Sequence, residues 1–128
     1  MENINIPAGE RSPEIDFDFA ANIFAIRGES YPEDVNAFFG PMVQKLESYL
    51  ETLNGANVQF TFELIYFNSS TAKILMSLFE TLDEAAESGN AVQVSWLHEE
   101  DDDNMQEMGE EFGEDLVHAK FELKKIES

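Results

Sequence analysis

The run from Val58 to Phe67 limits what this chain can fold into more than any other stretch. Val58, Phe60, Phe62, Leu64 and Tyr66 alternate with polar neighbours, and Ile65 and Phe67 make the far end apolar on both faces. A segment this apolar needs strands on both edges, so it reads as a central strand. It stops at Asn68-Ser69-Ser70-Thr71. Beyond that, Leu75, Leu78/Phe79, Leu82 and Ala85/Ala86 recur at helical spacing until Ser88-Gly89-Asn90.

The flanking sequence extends this strand–helix unit. Residues 1–13 are expected to be irregular, because Pro7, Gly9 and Pro13 interrupt them. Ile15, Phe17 and Phe19 alternate with acidic residues, and Phe24 and Ile26 resume the period after Ala20-Ala21-Asn22, which predicts a β-hairpin ended by Gly28. Ser30-Tyr31-Pro32-Glu33 has the form of a capping box that starts a helix. Phe38/Phe39, Met42/Val43, Leu46, Leu50 and Leu53 would form its inner stripe, Gly40-Pro41 is an awkward pair within it, and Asn54-Gly55 would close it. Val92, Val94 and Trp96 make another strand. Met105, Met108 and Phe112 lie at helical spacing, and Val117, Ala119, Phe121 and Leu123 suggest a last strand. The order β-β-α-β-α-β-α-β predicts an α/β domain spanning 1–128, a mixed central sheet that begins with a β-hairpin and carries three main helices.

Composition excludes several function classes. Of the 128 residues, 43% are hydrophobic, including eleven Phe, which is enough for a core, and the absence of cysteine removes disulfides and thiolate chemistry. Neither a basic-then-apolar leader nor a membrane-length apolar run is found, so a cytoplasmic location is expected. The net charge of −20 makes nucleic acid and anionic lipid poor partners. Ten of the acids lie between His98 and Asp115, with no Lys or Arg among them. Asp101-Asp102-Asp103 lacks the alternating ligand spacing of a calcium loop and reads as an acidic helix start, so no metal site is expected. His98 and His118 match neither triad nor metal spacing and are expected to be surface or edge residues. The glycines are isolated, so no phosphate-cradling loop forms. With no base, nucleophile or metal set converging, neither an enzyme nor a cofactor is expected.

The informative site is the junction itself. A buried strand delivers Asn68, Ser69, Ser70 and Thr71 to the carboxyl edge of the sheet, where open α/β proteins usually place function. Asn68 or Ser69 would cap the helix and bring hydroxyls beside its free N–H groups. A phosphate there would gain ~0.3–1 kcal/mol from those donors and the helix dipole. Lys73, four residues after Ser69 and on the same helix face, would pair with it. The same four residues also serve as an ordinary helix cap.

The strand, the polar Asn-Ser-Ser junction and the apolar helix together resemble the phosphorylation site of STAS-type anti-anti-sigma proteins. The full layout is more similar to the SiaC family of bacterial regulatory phosphoproteins. That resemblance is carried by Gly28-Glu29-Ser30-Tyr31-Pro32-Glu33, by Leu64-Ile65-Tyr66-Phe67-Asn68-Ser69-Ser70 and by the acidic third helix with Glu110-Glu111-Phe112. It implies a STAS-like, non-enzymatic domain. It also implies that a dedicated Ser/Thr kinase phosphorylates the hydroxyl residue directly after the asparagine and that a PP2C-type phosphatase reverses the modification. Ser69 holds that position here, where the family pattern has threonine, and Ser70 is the fallback. The resemblance further implies that the unphosphorylated form activates a diguanylate cyclase, with cyclic-di-GMP synthesis and biofilm formation downstream. Tyr31, Pro32 and Glu33 are expected to shape the docking site on the same edge. Two alternatives remain at this level: an anti-anti-sigma factor that binds a kinase-type anti-sigma protein, and an acidic interaction module that acts through residues 98–115.

Overall fold

The computed structural model describes residues 2–127, in which strands β1 (Ile4–Ile6), β2 (Glu14–Asp18) and β3 (Ile23–Ser30) are followed by helix α1 (Val35–Glu51). Strand β4 (Asn57–Phe67), helix α2 (Ser69–Glu87), strand β5 (Ala91–Glu99), helix α3 (Asp103–Glu114) and strand β6 (Lys120–Ile126) complete the order. The six strands lie side by side in sequence order. β1, β2 and β3 pair antiparallel, whereas β3, β4, β5 and β6 run parallel with one helix in each crossover. The expected hairpin is β2–β3, and β4 sits inside the sheet as its apolar run requires.

Register explains the core. Phe60 lies between Phe24 and Val94, and Phe62 lies between Ile26 and Trp96, so these six side chains share one face, and all are buried. The inner stripes of the helices (Phe39, Met42, Leu46 and Leu50 from α1; Leu75, Leu78, Phe79 and Leu82 from α2; Met105 from α3) join the same cluster. Between them, on the opposite face of β4, Asn57 and Gln59 are exposed and Thr61 and Glu63 half-buried. The sheet is thus covered by helices on one face and presents polar side chains on the other.

α3 packs unusually close to the sheet. A methyl group on Gly109 would lie 2.5 Å from the Trp96 ring, and one on Gly113 would lie 2.6 Å from Phe121. With no side chain in the way, the Trp96 indole N–H donates to the Met105 carbonyl (3.1 Å) and the Phe112 ring stacks on Trp96 at 5.4 Å.

Several local expectations are corrected. Residues 1–13 are not wholly irregular, because Ile4–Ile6 adds β1 beside β2. Gly28 does not end its strand; it takes a positive φ of 108° next to a register shift, and β3 continues to Ser30. Ser30 is therefore a buried strand residue and not a cap. Asp34 caps α1 instead, accepting the Ala37 N–H at 3.0 Å. α1 passes through Pro41 and ends at Glu51, before Gly55 turns the chain at φ 70°. His98 is buried (2% exposed), its Nδ1 2.9 Å from the Glu99 carbonyl oxygen, because its strand position faces the core.

The last strand starts at Lys120, later than expected, because Val117, His118 and Ala119 are committed to another contact. Their three backbone N–H groups donate to one carboxylate oxygen of Asp83 on α2, at 3.1, 2.8 and 2.9 Å. Partial burial pushes the Asp83 carboxyl up, but the three amide donors and the nearby His118 outweigh it, and the net shift is downward. A carboxyl more acidic folded than unfolded stabilises above its unfolded pKa, and that stability is lost as pH falls through the folded value.

Gly109→Ala should lower stability by about 1–3 kcal/mol through overpacking against Trp96. Gly40→Ala, where nothing lies within 4 Å, should raise it by about 0.5–1 kcal/mol; urea unfolding of both variants reads the difference. Asp83→Ala should cost on the order of 1 kcal/mol at neutral pH. That cost should shrink as pH falls below the normal carboxylate range, as followed by unfolding midpoints across pH.

Candidate functional site

β3 and β4 end side by side, with Ser30 opposite Phe67. Just before this edge the two strands fall out of step: Gly28 faces Leu64, Glu29 faces Tyr66, and Ile65 is left without an opposite residue. The extra residue is a β-bulge, and it changes which side chains point inward. Phe67 turns into the core, while Ile65 and Tyr66 are 54% and 52% exposed. Tyr66 therefore leaves the face that the alternation of β4 assigned to it. It meets Tyr31 edge to face, with ring centroids 5.8 Å apart.

Asn68 caps α2. Its side-chain oxygen accepts the Thr71 N–H at 2.9 Å, and its carbonyl accepts the Ala72 N–H at 3.0 Å. The Ser69 and Ser70 amides have no partner among the described residues, and both side chains are exposed. These are the open donors that the sequence placed beside the serines.

Thr71 has a different role from its neighbours. It is fully buried, and its hydroxyl lies 2.9 Å from the equally buried Ser30 hydroxyl and 3.2 Å from the Ser30 carbonyl oxygen. Both hydroxyls are satisfied when Ser30 donates to Thr71 and Thr71 donates to the Ser30 carbonyl. That carbonyl also accepts the Asn68 N–H at 3.1 Å, which uses both of its lone pairs. The end of β3 is thus fastened to the first turn of α2. Thr71 is sealed beneath the edge, which leaves Ser69 and Ser70 as the accessible hydroxyls of the junction.

Tyr31, Pro32 and Glu33 do reach the same edge, as a link between β3 and α1 and not as a helix start. The Tyr31 N–H donates to the Arg11 carbonyl at 2.7 Å, and the Arg11 guanidinium pairs with Glu33 at 2.6 Å on the surface. Lys73 is exposed one turn after Ser69 and enters no ion pair among the described residues. Sequence reasoning placed Tyr31 and the Asn68-Ser69 junction at one sheet edge, and Tyr31 meets Tyr66 there. It missed Ser30 as the partner of Thr71 and the exposure of Tyr66; the only local signal for either is Gly28, at the register shift.

With this geometry in view, comparison with known proteins is decisive. The family model for SiaC family regulatory phosphoproteins matches residues 6–126. The chain belongs to the SiaC family. Among solved structures it is similar to SiaC of Pseudomonas aeruginosa, with a TM-score of 0.88 at 28% identity over 98% of this chain and 100% of that one. It is also similar to a chain in the crystal structure of the diguanylate cyclase SiaD in complex with its activator SiaC from the same organism, with a TM-score of 0.85 at 27% identity over 94% of this chain and 99% of that one. An uncharacterized protein of Pseudomonas aeruginosa strain UCBPP-PA14 is 30% identical over 90% of both chains. The mixed six-stranded sheet with three helices is the α/β layout expected from the sequence, and it matches the SiaC structures. Among the described residues no helix is long and apolar enough to cross a membrane.

The Ser30–Thr71 pair can be tested by a double-mutant cycle. Ser30→Ala and Thr71→Val should each cost about 1–2 kcal/mol. The double variant should cost clearly less than their sum, because Thr71→Val alone strands the buried Ser30 hydroxyl, which the double variant no longer carries. Strict additivity in urea unfolding would contradict the coupling.

Proposed function

We propose that this chain is a non-enzymatic partner-switch protein of the cytoplasm that binds and activates a diguanylate cyclase while Ser69 is unmodified. A Ser/Thr kinase phosphorylates Ser69 and weakens that binding, and a PP2C-type phosphatase restores it. The observation that carries this reading is the placement of Ser69. It is an exposed hydroxyl at the open start of α2, just after the strand end where the exposed Tyr66 ring meets half-buried Tyr31, whereas Thr71 two residues on is sealed in the core. The cyclase is brought in from the similar SiaC of Pseudomonas aeruginosa, described as the activator of SiaD.

The mechanism follows from electrostatics at the edge. Unmodified, Ser69, Tyr66 and the Tyr31-Pro32-Glu33 link offer a neutral to weakly polar contact around two aromatic rings. A phosphate adds a charge of about −1.5 to −2. The unpaired Ser69 and Ser70 amides, the dipole of α2 and Lys73 stabilise that charge on the free protein. A partner that covered it would have to desolvate it without new counter-charges, at a cost of several kcal/mol. A loss of about 4 kcal/mol converts a micromolar complex into a millimolar one. Asn68 keeps the cap in both states, so the switch requires no change in fold.

The test is cyclase activation by purified protein in four forms. Unmodified chain and Ser69→Ala should stimulate product formation equally, while stoichiometrically phosphorylated chain and Ser69→Glu should be at least about tenfold weaker activators. Full activation by the phosphorylated form would overturn the mechanism, and loss of activation by Ser69→Ala would show that the hydroxyl itself is part of the contact.

A further inference from the structure

β6 is an edge strand, and its outer side has no neighbour among the described residues. The opposite edge of the sheet is blunted by the three-residue β1, whereas β6 is seven residues long. Its charge also departs from that of the chain. Three of the seven Lys and Arg residues, Lys120, Lys124 and Lys125, lie on it against one acid, Glu122, in a protein of net charge −20. Phe121 lies under Gly113 and Leu123 under Gly109, so both face the helices, and both are half-buried. By alternation Lys120, Glu122 and Lys124 project from the polar face, where the Lys124 ammonium stands 3.6 Å from the Glu122 carboxylate.

Lysines on an exposed edge usually discourage strand pairing. The order Lys120-Phe121-Glu122-Leu123-Lys124-Lys125-Ile126 has a further property, because it complements itself when reversed. In an antiparallel pair of two copies with the two-fold axis at Leu123, Glu122 lies opposite the second copy's Lys124, and Lys124 opposite the second copy's Glu122. With the contact already present in each strand, these four side chains form a ring of alternating charge on the polar face. All seven positions of the strand are then paired. Moving the axis by one residue destroys the match. Centred on Glu122, the pair sets Glu122 against Glu122 and Lys120 against Lys124; centred on Lys124, it sets Lys124 against Lys124. On the helix face, the axis at Leu123 puts the second copy's Lys125 opposite Phe121, one strand spacing (~4.8 Å) away. Phe121 lies under Gly113 in the last turn of α3, which holds Glu111 and Glu114, no basic residue and the negative end of the helix dipole. Lys125 enters no ion pair within its own chain among the described residues.

We propose that this chain forms a two-fold dimer by pairing β6 with β6 of a second copy, which joins the two sheets into one of twelve strands. The occupant of the edge is a second copy because the charges that the edge requires are the ones it carries. An axis perpendicular to the sheet keeps both sets of helices on one face and runs the parallel strands of the two copies in opposite directions. The two α2 starts, each with its Ser69, therefore open at opposite ends of the joined sheet and stay uncovered. Dimerisation is independent of the state of Ser69.

Sedimentation equilibrium of the full chain tests the pairing. The wild type should dimerise with a dissociation constant in the micromolar range. Glu122→Lys and Lys124→Glu should each weaken association at least about tenfold, because each sets like charges opposite one another across the axis. The double variant carrying both changes should return to the wild-type constant. Glu122→Lys is the most informative single change. It lowers the net negative charge, so general repulsion between copies would predict tighter association, whereas the paired edge predicts weaker. Both side chains are exposed, and unchanged urea midpoints would show that the variants are folded. Ser69→Glu should leave the constant unaltered. A chain that stays monomeric up to about 1 mM would overturn the proposal. So would a dimer that both single variants leave intact, or one that they weaken and the double variant does not restore.

Discussion

Aromatic packing across β4 ties the layers of this protein together. Phe60 and Phe62 stack with centroids 4.5 Å apart, Phe62 meets Phe79 of α2 at 5.0 Å, and Trp96 on β5 carries Phe112 of α3. Burial of each ring contributes about 1.5–3 kcal/mol, an upper estimate because unfolded chains hide some apolar surface. Since these rings project from one face of the sheet, all three helices join a single core and the other face stays polar. Gly109 and Gly113 let α3 settle directly on Trp96 and Phe121, so the acidic segment has a firm inner side. Its charges therefore form the outer surface of a packed helix and not a loose tail.

The same strand positions the candidate site. One extra residue at Ile65 reverses the facing of the last residues of β4, turning Phe67 inward and releasing Tyr66 to Tyr31. The Ser30–Thr71 hydroxyl pair then fixes the start of α2 against the end of β3. Between these two features the chain presents Ser69 on a rigid frame. A modification placed there alters charge and contact at once, without waiting for a segment to fold.

Much of this was legible in the sequence because it rests on periodicity. The alternation of Val58, Phe60, Phe62 and Leu64 and the stripe Leu75, Leu78, Phe79 and Leu82 identified β4 and α2, and the cap was narrowed to Asn68 or Ser69, of which Asn68 fills it. The misreadings share a cause. Ser30 looked like a cap because its local pattern fits one, yet its position is decided by Phe67 across the sheet and by Thr71, forty-one residues away. Tyr66 followed the alternation on paper, but a bulge is a property of two paired strands and leaves little trace in either alone. Val117 matched a strand pattern, although Asp83 draws its backbone into a different hydrogen-bonding arrangement. Periodic signals survive folding intact, whereas signals that depend on a distant partner do not appear until the partner is in place.

The surface charge of −20 makes an added phosphate a local matter. At physiological salt, charges beyond about 8 Å are largely screened, so the amides at the α2 start and Lys73 decide how a phosphate is received. The most direct measurement is site-resolved phosphopeptide mass spectrometry on the protein isolated from its own host, with Ser69→Ala alongside. The account predicts a single phosphate on Ser69, absent from the variant and never on buried Thr71. Phosphate found at another residue, or a chain unmodified under every growth condition, would contradict it.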